Sequence, residues 1–140
     1  MNRGGELVNK INKIISRKFN SLLKEKNIDE FNGPQGVIMY HLWLEEKLTI
    51  TEIAKRTSLA KTTLTSMLER MSNLDLINKI SDDKDKRKTY IILTNKAKNL
   101  EKDFNEINEK MNNLFYKGFS NEEINQFESY LYKILENVSD

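Results

Sequence analysis

Residues 49–94 read TITEIAKRTSLAKTTLTSMLERMSNLDLINKISDDKDKRKTYIILT, and their apolar spacing indicates the kind of fold. Thr49 and Glu52 have the spacing of a capping box, which predicts a short helix over about residues 50–57. After a brief break, a second helix is predicted over about residues 61–74, with its apolar residues on one face. Two helices joined by so short a turn are typical of a helix-turn-helix motif.

The apolar period changes from helical to alternating after Asp75. Residues 76–80 and 89–93 are predicted to be strands, and the segment between them, SDDKDKRK, is predicted to be a polar, charge-dense loop. A β-hairpin therefore follows the helix-turn-helix, and this order of elements describes a winged helix.

Helices are predicted on both sides of this region. Apolar residues at steps of three and four predict a first helix ending near Lys26, and Pro34 is placed to begin a second helix that ends near Glu46. From Thr94 the helical period returns, which predicts a long helix ending near Gly118. A last helix, capped by Ser120 and Glu123, is predicted to continue to the end of the sequence. The expected fold class is mostly α with a small β-hairpin.

Composition disfavours several kinds of site. The 140 residues include no cysteine and one histidine, so disulfides, thiol chemistry and multi-histidine zinc sites are disfavoured. Glu45 and Glu46 are adjacent and would point to different helix faces, and there is no Gly-rich phosphate loop or nucleophile motif. We therefore expect no enzyme activity, no catalytic residue, no cofactor and no metal.

Charge and hydropathy indicate the compartment and the partner. No apolar segment follows Arg3 and no apolar run approaches a bilayer span, so we expect a cytoplasmic protein without membrane contact. Residues 51–93 carry nine basic and six acidic side chains, whereas residues 94–140 carry six and nine. The winged-helix region is therefore the basic part of the chain.

Two groups of polar residues are candidates for contacts with double-stranded DNA. At the start of the second helix of the motif, short polar side chains suit base edges in the major groove. In the hairpin loop, basic side chains suit phosphates. The first group is Lys61, Thr62, Thr63, Thr65 and Ser66, and the second is Lys84, Lys86, Arg87 and Lys88.

Each group also has an ordinary explanation. Threonine is common at helix starts, and Asp82, Asp83 and Asp85 offset much of the loop's positive charge. The order of the two groups, a polar helix followed by a basic wing, favours DNA binding.

A third set of residues is a candidate for a ligand pocket. Tyr40, Trp43, Phe115 and Phe119 are aromatic, although aromatic residues at helical spacing more often form the core. A single histidine on a helix is more often packed than a ligand group. The candidate pocket residues are Arg17, Tyr40, His41 and Trp43.

The chain resembles the MarR family of transcriptional regulators in a set of ordered motifs. These motifs are LAKTTLTSMLERM at residues 59–71, Leu76-Ile77, Asp85-Lys86-Arg87 and Leu93-Thr94, with Pro34-Gln35 upstream. The resemblance implies a homodimer that binds a pseudo-palindromic operator, usually as a repressor, sometimes relieved by a small organic ligand.

The resemblance also implies roles for individual residues. Thr62, Thr63 and Thr65 would contact bases or phosphates in the major groove, and Arg70 would reach the DNA backbone or buttress the helix. Arg87 would enter the minor groove, oriented by Asp85. It further implies a helical dimerisation region at residues 1–30 and 95–140, and a winged-helix DNA-binding domain at residues 31–94.

Four residues depart from the family pattern. Ser66 stands where many relatives carry arginine, Ala60 cannot cap the recognition helix through its side chain, and Asp75 and Ala97 replace frequent glycines. Asp75 is expected to tolerate the left-handed conformation, and Ala97 to favour an early start of the long helix.

The apolar stripes favour dimerisation independently of the resemblance. The stripes over residues 7–23 and 100–114 are longer than a small winged-helix core could cover, so a second copy is the economical place to bury them. The alternative to a DNA-binding regulator is a winged-helix module that docks a partner protein, with the acidic C-terminal helices as its working surface.

Overall fold

The computed structural model describes residues 1–29 and 31–139, and within these ranges the chain is mostly helical with one small sheet. The elements are α1 (Gly4–Glu25), α2 (Gly33–Leu44), β1 (Leu48–Thr49), α3 (Ile50–Thr57), α4 (Lys61–Asn73), β2 (Ile77–Ser81), β3 (Thr89–Leu93), α5 (Asn95–Lys98), α6 (Glu101–Phe115) and α7 (Asn121–Val138). The predicted fold class is confirmed. Within the described ranges, no helix combines the length and apolar character needed to cross a bilayer.

Reciprocal side-chain caps define the starts of three helices. The hydroxyl of Thr49 accepts from the Glu52 amide at 3.1 Å, while the Glu52 carboxylate accepts from the Thr49 amide at 3.2 Å. Ser120 and Glu123 form the same box at the start of α7. Both boxes were predicted. Asn32 and Gln35 form a further capping box at the start of α2, and this box was not predicted.

The sheet has the strand order β1-β3-β2, with both pairs antiparallel. The predicted hairpin is confirmed, although β2 begins one residue later than expected. The strand β1 was not predicted. It places Leu48 opposite Ile91 and Thr49 opposite Tyr90, so β3 is hydrogen bonded on both sides.

One long helix was predicted after Thr94. This prediction is wrong in one respect, because the chain forms two helices there, α5 and α6. The Thr94 hydroxyl caps the short helix α5 by accepting from the Ala97 amide at 3.2 Å. The Ala97 carbonyl then accepts both from the Leu100 amide and, at 3.2 Å, from the Trp43 indole N–H. This tertiary hydrogen bond accompanies the break between α5 and α6, and residue spacing cannot reveal it.

The chain forms two compact units, residues 1–107 and 108–140. In the first unit, the Phe104 ring lies at centroid distances of 5.7 Å from Phe19, 6.0 Å from Phe31 and 4.8 Å from Trp43. These contacts join α1, α2 and α6. Trp43 is half-buried and packs against this core through Phe104.

In the second unit, Phe127 is the centre of a smaller aromatic cluster. Its ring lies 6.0 to 6.3 Å from the rings of Phe115, Tyr116 and Phe119. Glu128 accepts a hydrogen bond from the Tyr116 hydroxyl at 2.6 Å. Phe115 and Phe119 thus pack with other aromatic residues, but they do not form a buried core, because they are 39% and 46% exposed.

Gly36 marks the tightest packing of α2 on this core. A Cβ atom at Gly36 would lie 2.9 Å from the Phe104 ring and 3.3 Å from the Phe31 ring, whereas one at Gly5 would meet no atom within 4 Å. We expect Gly36→Ala to lower the free energy of unfolding by about 1–3 kcal/mol, because overpacking outweighs the gain in helix propensity. Urea denaturation measures the difference.

The matched control is Gly5→Ala on the exposed side of α1. This change should leave stability unchanged or raise it by up to about 1 kcal/mol, since alanine favours the helix and has free space there. A Gly36→Ala protein as stable as the Gly5→Ala protein would contradict the close packing of α2 against Phe104.

Candidate nucleic-acid interface

The turn between α3 and α4 fixes the two helices of the motif. Ser58 adopts a left-handed conformation with φ of 58°, which ends α3. The Thr57 hydroxyl donates to the Ile53 carbonyl at 2.7 Å and accepts from the Leu59 amide at 3.4 Å. The Thr57 side chain therefore links the end of α3 to the turn, at the predicted break between the two helices.

Helix α4 has a buried face and an exposed polar face. Leu64, Leu68 and Met71 are at most 1% exposed, and Met67, predicted for the same face, is half-buried. The predicted DNA-contacting residues of this helix lie on its exposed side: Lys61, Thr62, Thr63, Thr65, Ser66 and Arg70. The structure thus presents these residues outward together.

The start of α4 has no side-chain cap. Ala60 occupies the N-cap position in an extended conformation and, as predicted, makes no side-chain hydrogen bond to the first turn. The first-turn amides carry the partial positive charge of the helix N-terminus. They can therefore accept an anionic partner such as a phosphate.

The C-terminal end of α4 is attached to the sheet. Asp75 has φ of 60°, the left-handed conformation predicted for this residue. The Thr94 hydroxyl, at the end of β3, donates to the Asp75 carbonyl at 2.8 Å. Lys96 donates to the Leu74 carbonyl at 3.1 Å. These bonds fix α4 relative to β3.

The hairpin loop is ordered by its carboxylates. The Asp85 carboxylate accepts from both the amide and the Nε atom of Arg87, each at 3.1 Å, so the ion pair that the resemblance implied is present. The Asp82 carboxylate accepts from the Lys84 amide at 2.8 Å. The loop's acidic residues therefore shape its backbone as well as offsetting its charge.

These hydrogen bonds also shift the acidity of the two carboxyls. The Arg87 side chain and amide hold the pKa of Asp85 below its usual value, and the Lys84 amide does the same for the pKa of Asp82. Because both pKa values are lowered, the contacts are fully present above the ordinary carboxyl pKa. They are lost as the pH falls through the lowered values.

Four basic side chains lie on the surface of this loop. Lys84, Lys86, Arg87 and Lys88 are exposed, while Asp85 is half-buried. The predicted wing residues are thus brought together at one tip of the sheet, where they can reach a polyanion.

Two residues near the wing were missed by sequence reasoning. The Tyr90 hydroxyl donates to the Asp82 carboxylate at 3.3 Å, and the Lys47 ammonium lies 4.5 Å from the centroid of the Tyr90 ring. Neither carries a sequence signal, because their proximity depends on the pairing of β1 with β3.

The predicted ligand-pocket residues are brought together only in part. The rings of Tyr40 and His41 lie 5.4 Å apart, whereas Trp43 packs on Phe104 and Arg17 is exposed on α1. An open groove of about 330 Å³ includes Trp43 among its lining residues, with Leu42, Glu46, Leu93, Lys98 and Glu101 as the others. The other three predicted residues do not line this groove.

His41 is partly enclosed by the protein. Its Nδ1 atom is buried and finds no hydrogen-bond partner among the described residues. Burial, followed by the nearby Arg56 charge, lowers the pKa of His41 below its usual value. These properties fit the packed histidine expected from the sequence.

Comparisons with known proteins decide the family. The MarR family model matches residues 31–89. The organic hydroperoxide resistance transcriptional regulator of Bacillus subtilis (strain 168) is 30% identical over 124 residues, covering 89% of this chain and 81% of that protein. The chain belongs to the MarR family. The resemblance seen in the ordered motifs is thereby confirmed.

Two further comparisons differ in how much of each chain they cover. The HTH-type transcriptional regulator TtmR of Methylorubrum extorquens (strain PA1) is 34% identical over 84 residues, and that match covers 60% of this chain but 42% of TtmR. The crystal structure of the S. aureus MepR–DNA complex superposes with a TM-score of 0.86 at 24% identity, covering 96% of this chain and 97% of that one. The MarR fold therefore extends over nearly the whole chain.

The uncapped start of α4 predicts a stabilising substitution. Ala60→Ser supplies a hydroxyl at an N-cap whose backbone is already extended, so we expect the free energy of unfolding to rise by about 1 kcal/mol. The matched change Ala54→Ser lies inside α3 and should lower stability by about 0.5 kcal/mol through helix propensity. Equal effects in urea denaturation would contradict the N-cap assignment.

Proposed function

We propose that this MarR-family protein is a sequence-specific DNA-binding transcriptional regulator that acts as a homodimer on a pseudo-palindromic operator. The observation that supports this most strongly is that the sheet holds the outward polar face of α4 and the basic loop as one arrangement. A helix for the major groove followed by a basic wing is the arrangement of winged-helix DNA-binding proteins.

The recognition helix in this proposal is α4. Thr62, Thr63 and Thr65 would contact base edges or phosphates, and the threonine methyl groups would suit thymine. Lys61 and Ser66 would add contacts at the same exposed face, and the uncapped amides would bind a phosphate. Arg70, in the last turn, would reach the DNA backbone.

The basic loop would be the wing that reaches the DNA beside the recognition helix. Arg87 would enter the minor groove, where a narrow A·T tract concentrates negative potential. The ion pair with Asp85 holds the Arg87 side chain before DNA arrives, which lowers the entropy lost on binding. Lys84, Lys86 and Lys88 would contact phosphates.

The homodimer would bury the apolar residues that one copy leaves exposed. Leu7, Val8, Ile11 and Ile14 on α1 are each at least 39% exposed. On α7, Ile134, Leu135 and Val138 are at least 49% exposed. We propose that residues 1–30 and 95–140 form the dimerisation region and residues 31–94 the winged-helix domain. Two-fold symmetry would place the recognition helices about 34 Å apart.

The remaining parts of the proposal concern regulation. We propose that the protein acts in the cytoplasm as a repressor, and that binding of a small organic effector relieves the repression. The absence of cysteine excludes a thiol sensor of this chain's own, which leaves ligand binding as the simplest control. The protein-docking alternative is not favoured, because the relatives of this chain are transcriptional regulators.

The wing assignment predicts the effect of Arg87→Ala. We expect this change to weaken operator binding by about tenfold or more, because a charge-assisted minor-groove contact is lost. Fluorescence anisotropy on the protein's own upstream DNA measures the affinity. Lys110→Ala, which removes an exposed charge from α6, is the control and should leave the affinity unchanged. Wild-type affinity in the Arg87→Ala protein would contradict the wing assignment.

The dimer assignment predicts the effect of a charge in the α1 stripe. Ile11→Glu should shift the protein toward monomers in sedimentation equilibrium, because an apolar interface cannot bury an unpaired carboxylate. Asn9→Glu introduces the same charge on the opposite face of α1 and should remain dimeric. A dimeric Ile11→Glu protein would show that this stripe is not the interface.

A further inference from the structure

The Asp82 carboxylate connects the basic loop to the sheet. One of its oxygens accepts from the Lys84 amide at 2.8 Å, inside the loop, while the other accepts from the Tyr90 hydroxyl at 3.3 Å, on β3. The Asp82 amide also donates to the Lys88 carbonyl at 3.1 Å, which closes the loop at its base. Asp82 therefore contacts both the loop of the hairpin and the strand that supports it.

Lys47 extends this connection to β1. Its ammonium lies over the Tyr90 ring, at 4.5 Å from the centroid, which is a cation–π geometry. Lys47 immediately precedes β1, whose Thr49 is paired with Tyr90. We call Lys47, Asp82 and Tyr90 the wing anchor. Its members come from three different segments of the first compact unit.

The hydrogen bonds that Asp85 makes do not connect the loop to the sheet. The Asp85 carboxylate binds Arg87, and the Lys88 amide binds the Asp85 carbonyl, so both bonds join loop residues to each other. They fix the local shape of the loop but do not set its direction relative to the sheet. The Tyr90 hydroxyl is a side-chain donor from the sheet that reaches into the loop.

We propose that Tyr90 is a positioning residue, which sets the direction of the basic loop through Asp82 so that Arg87 and its neighbouring lysines meet DNA together. This inference rests on the proposed function. Lys47 supports the same arrangement, because its charge holds the Tyr90 ring and favours the ionised Asp82 carboxylate, which is the stronger acceptor for both hydrogen bonds. Tyr90 itself is half-buried and needs no contact with DNA.

The variant Tyr90→Phe tests the proposal with the smallest change. It removes the hydroxyl and keeps the ring that Lys47 covers. Tyr132→Phe removes an exposed hydroxyl from α7 and serves as the matched control. Thermal unfolding of both variants confirms that the proteins are folded before binding is measured.

The first readout uses the protein without DNA. Backbone ¹⁵N relaxation should show faster internal motion of the Lys84 to Lys88 amides in Tyr90→Phe than in wild type or Tyr132→Phe.

The second readout is anisotropy on the protein's own upstream duplex over a range of salt concentrations. Tyr90→Phe should bind about threefold to tenfold more weakly, the effect expected for the loss of one ordinary hydrogen bond. The slope of log affinity against log salt concentration should be flatter by about one, since fewer phosphates are contacted at the same time.

A double-mutant cycle separates positioning from a general loss of stability. If Tyr90 acts through the wing, the loss in Tyr90→Phe/Arg87→Ala should be smaller than the product of the two single losses. Unchanged loop motion in Tyr90→Phe would overturn the proposal. It would also be overturned if Tyr90→Phe bound more weakly with an unchanged salt slope and the double variant lost affinity by the full product of the two single losses. A wild-type protein that binds upstream and scrambled duplexes equally would instead overturn the proposed function. The relaxation data would then still decide whether Tyr90 orders the loop.

Discussion

The hydrogen bonding of β3 on both of its edges is the constraint on which the rest of the DNA-binding region depends. β1 leads directly into α3, and β2 follows α4, so a central β3 joins the helix-turn-helix to the wing. Ile91 is fully buried at the point where both partner strands meet β3. At the end of β3, Thr94 bonds the residue that follows α4. A shift of one residue in this register would turn Ile91 outward and separate the wing from the recognition helix.

The carboxylates of the wing show how a basic surface can be ordered without losing its charge. A loop of lysines and arginines alone would repel itself and remain mobile. Asp82 and Asp85 accept backbone and side-chain hydrogen bonds, while the lysines around them remain exposed. The nearly balanced charge of this segment is therefore compatible with binding a polyanion, because Asp82 and Asp85 bind groups of the hairpin itself while the lysines and Arg87 are exposed.

Much of the fold could be predicted from local patterns. Apolar spacing and capping residues located α1, α3, α4, α7 and the hairpin, because each of these is determined by residues close together in the chain. β1 has only two residues and therefore no alternation to detect. The break between α5 and α6 accompanies a hydrogen bond from Trp43, 54 residues away in the chain, and the Asn32 box lies in a segment with loop composition.

The same limit applies to the candidate site. The polar face of α4 and the basic residues of the wing follow from the sequence, since one depends on helical period and the other on a charge run. Tyr90 and Lys47 could not be found in this way, because their contact exists only after β1 pairs with β3. The role of Asp82 could not be predicted either. In the sequence, a carboxylate in a basic loop indicates only that positive charge is offset, whereas its hydrogen-bond partners are known only from the structure.

The affinity of the wild-type protein for its own upstream DNA and for a scrambled duplex of equal length tests whether the chain binds an operator. Both affinities are measured by fluorescence anisotropy at several salt concentrations. We predict preferential binding to the upstream duplex by roughly 10³-fold or more, with a steep loss of affinity as salt rises. Equal and weak binding to the two duplexes would contradict the account of this protein as an operator-binding regulator.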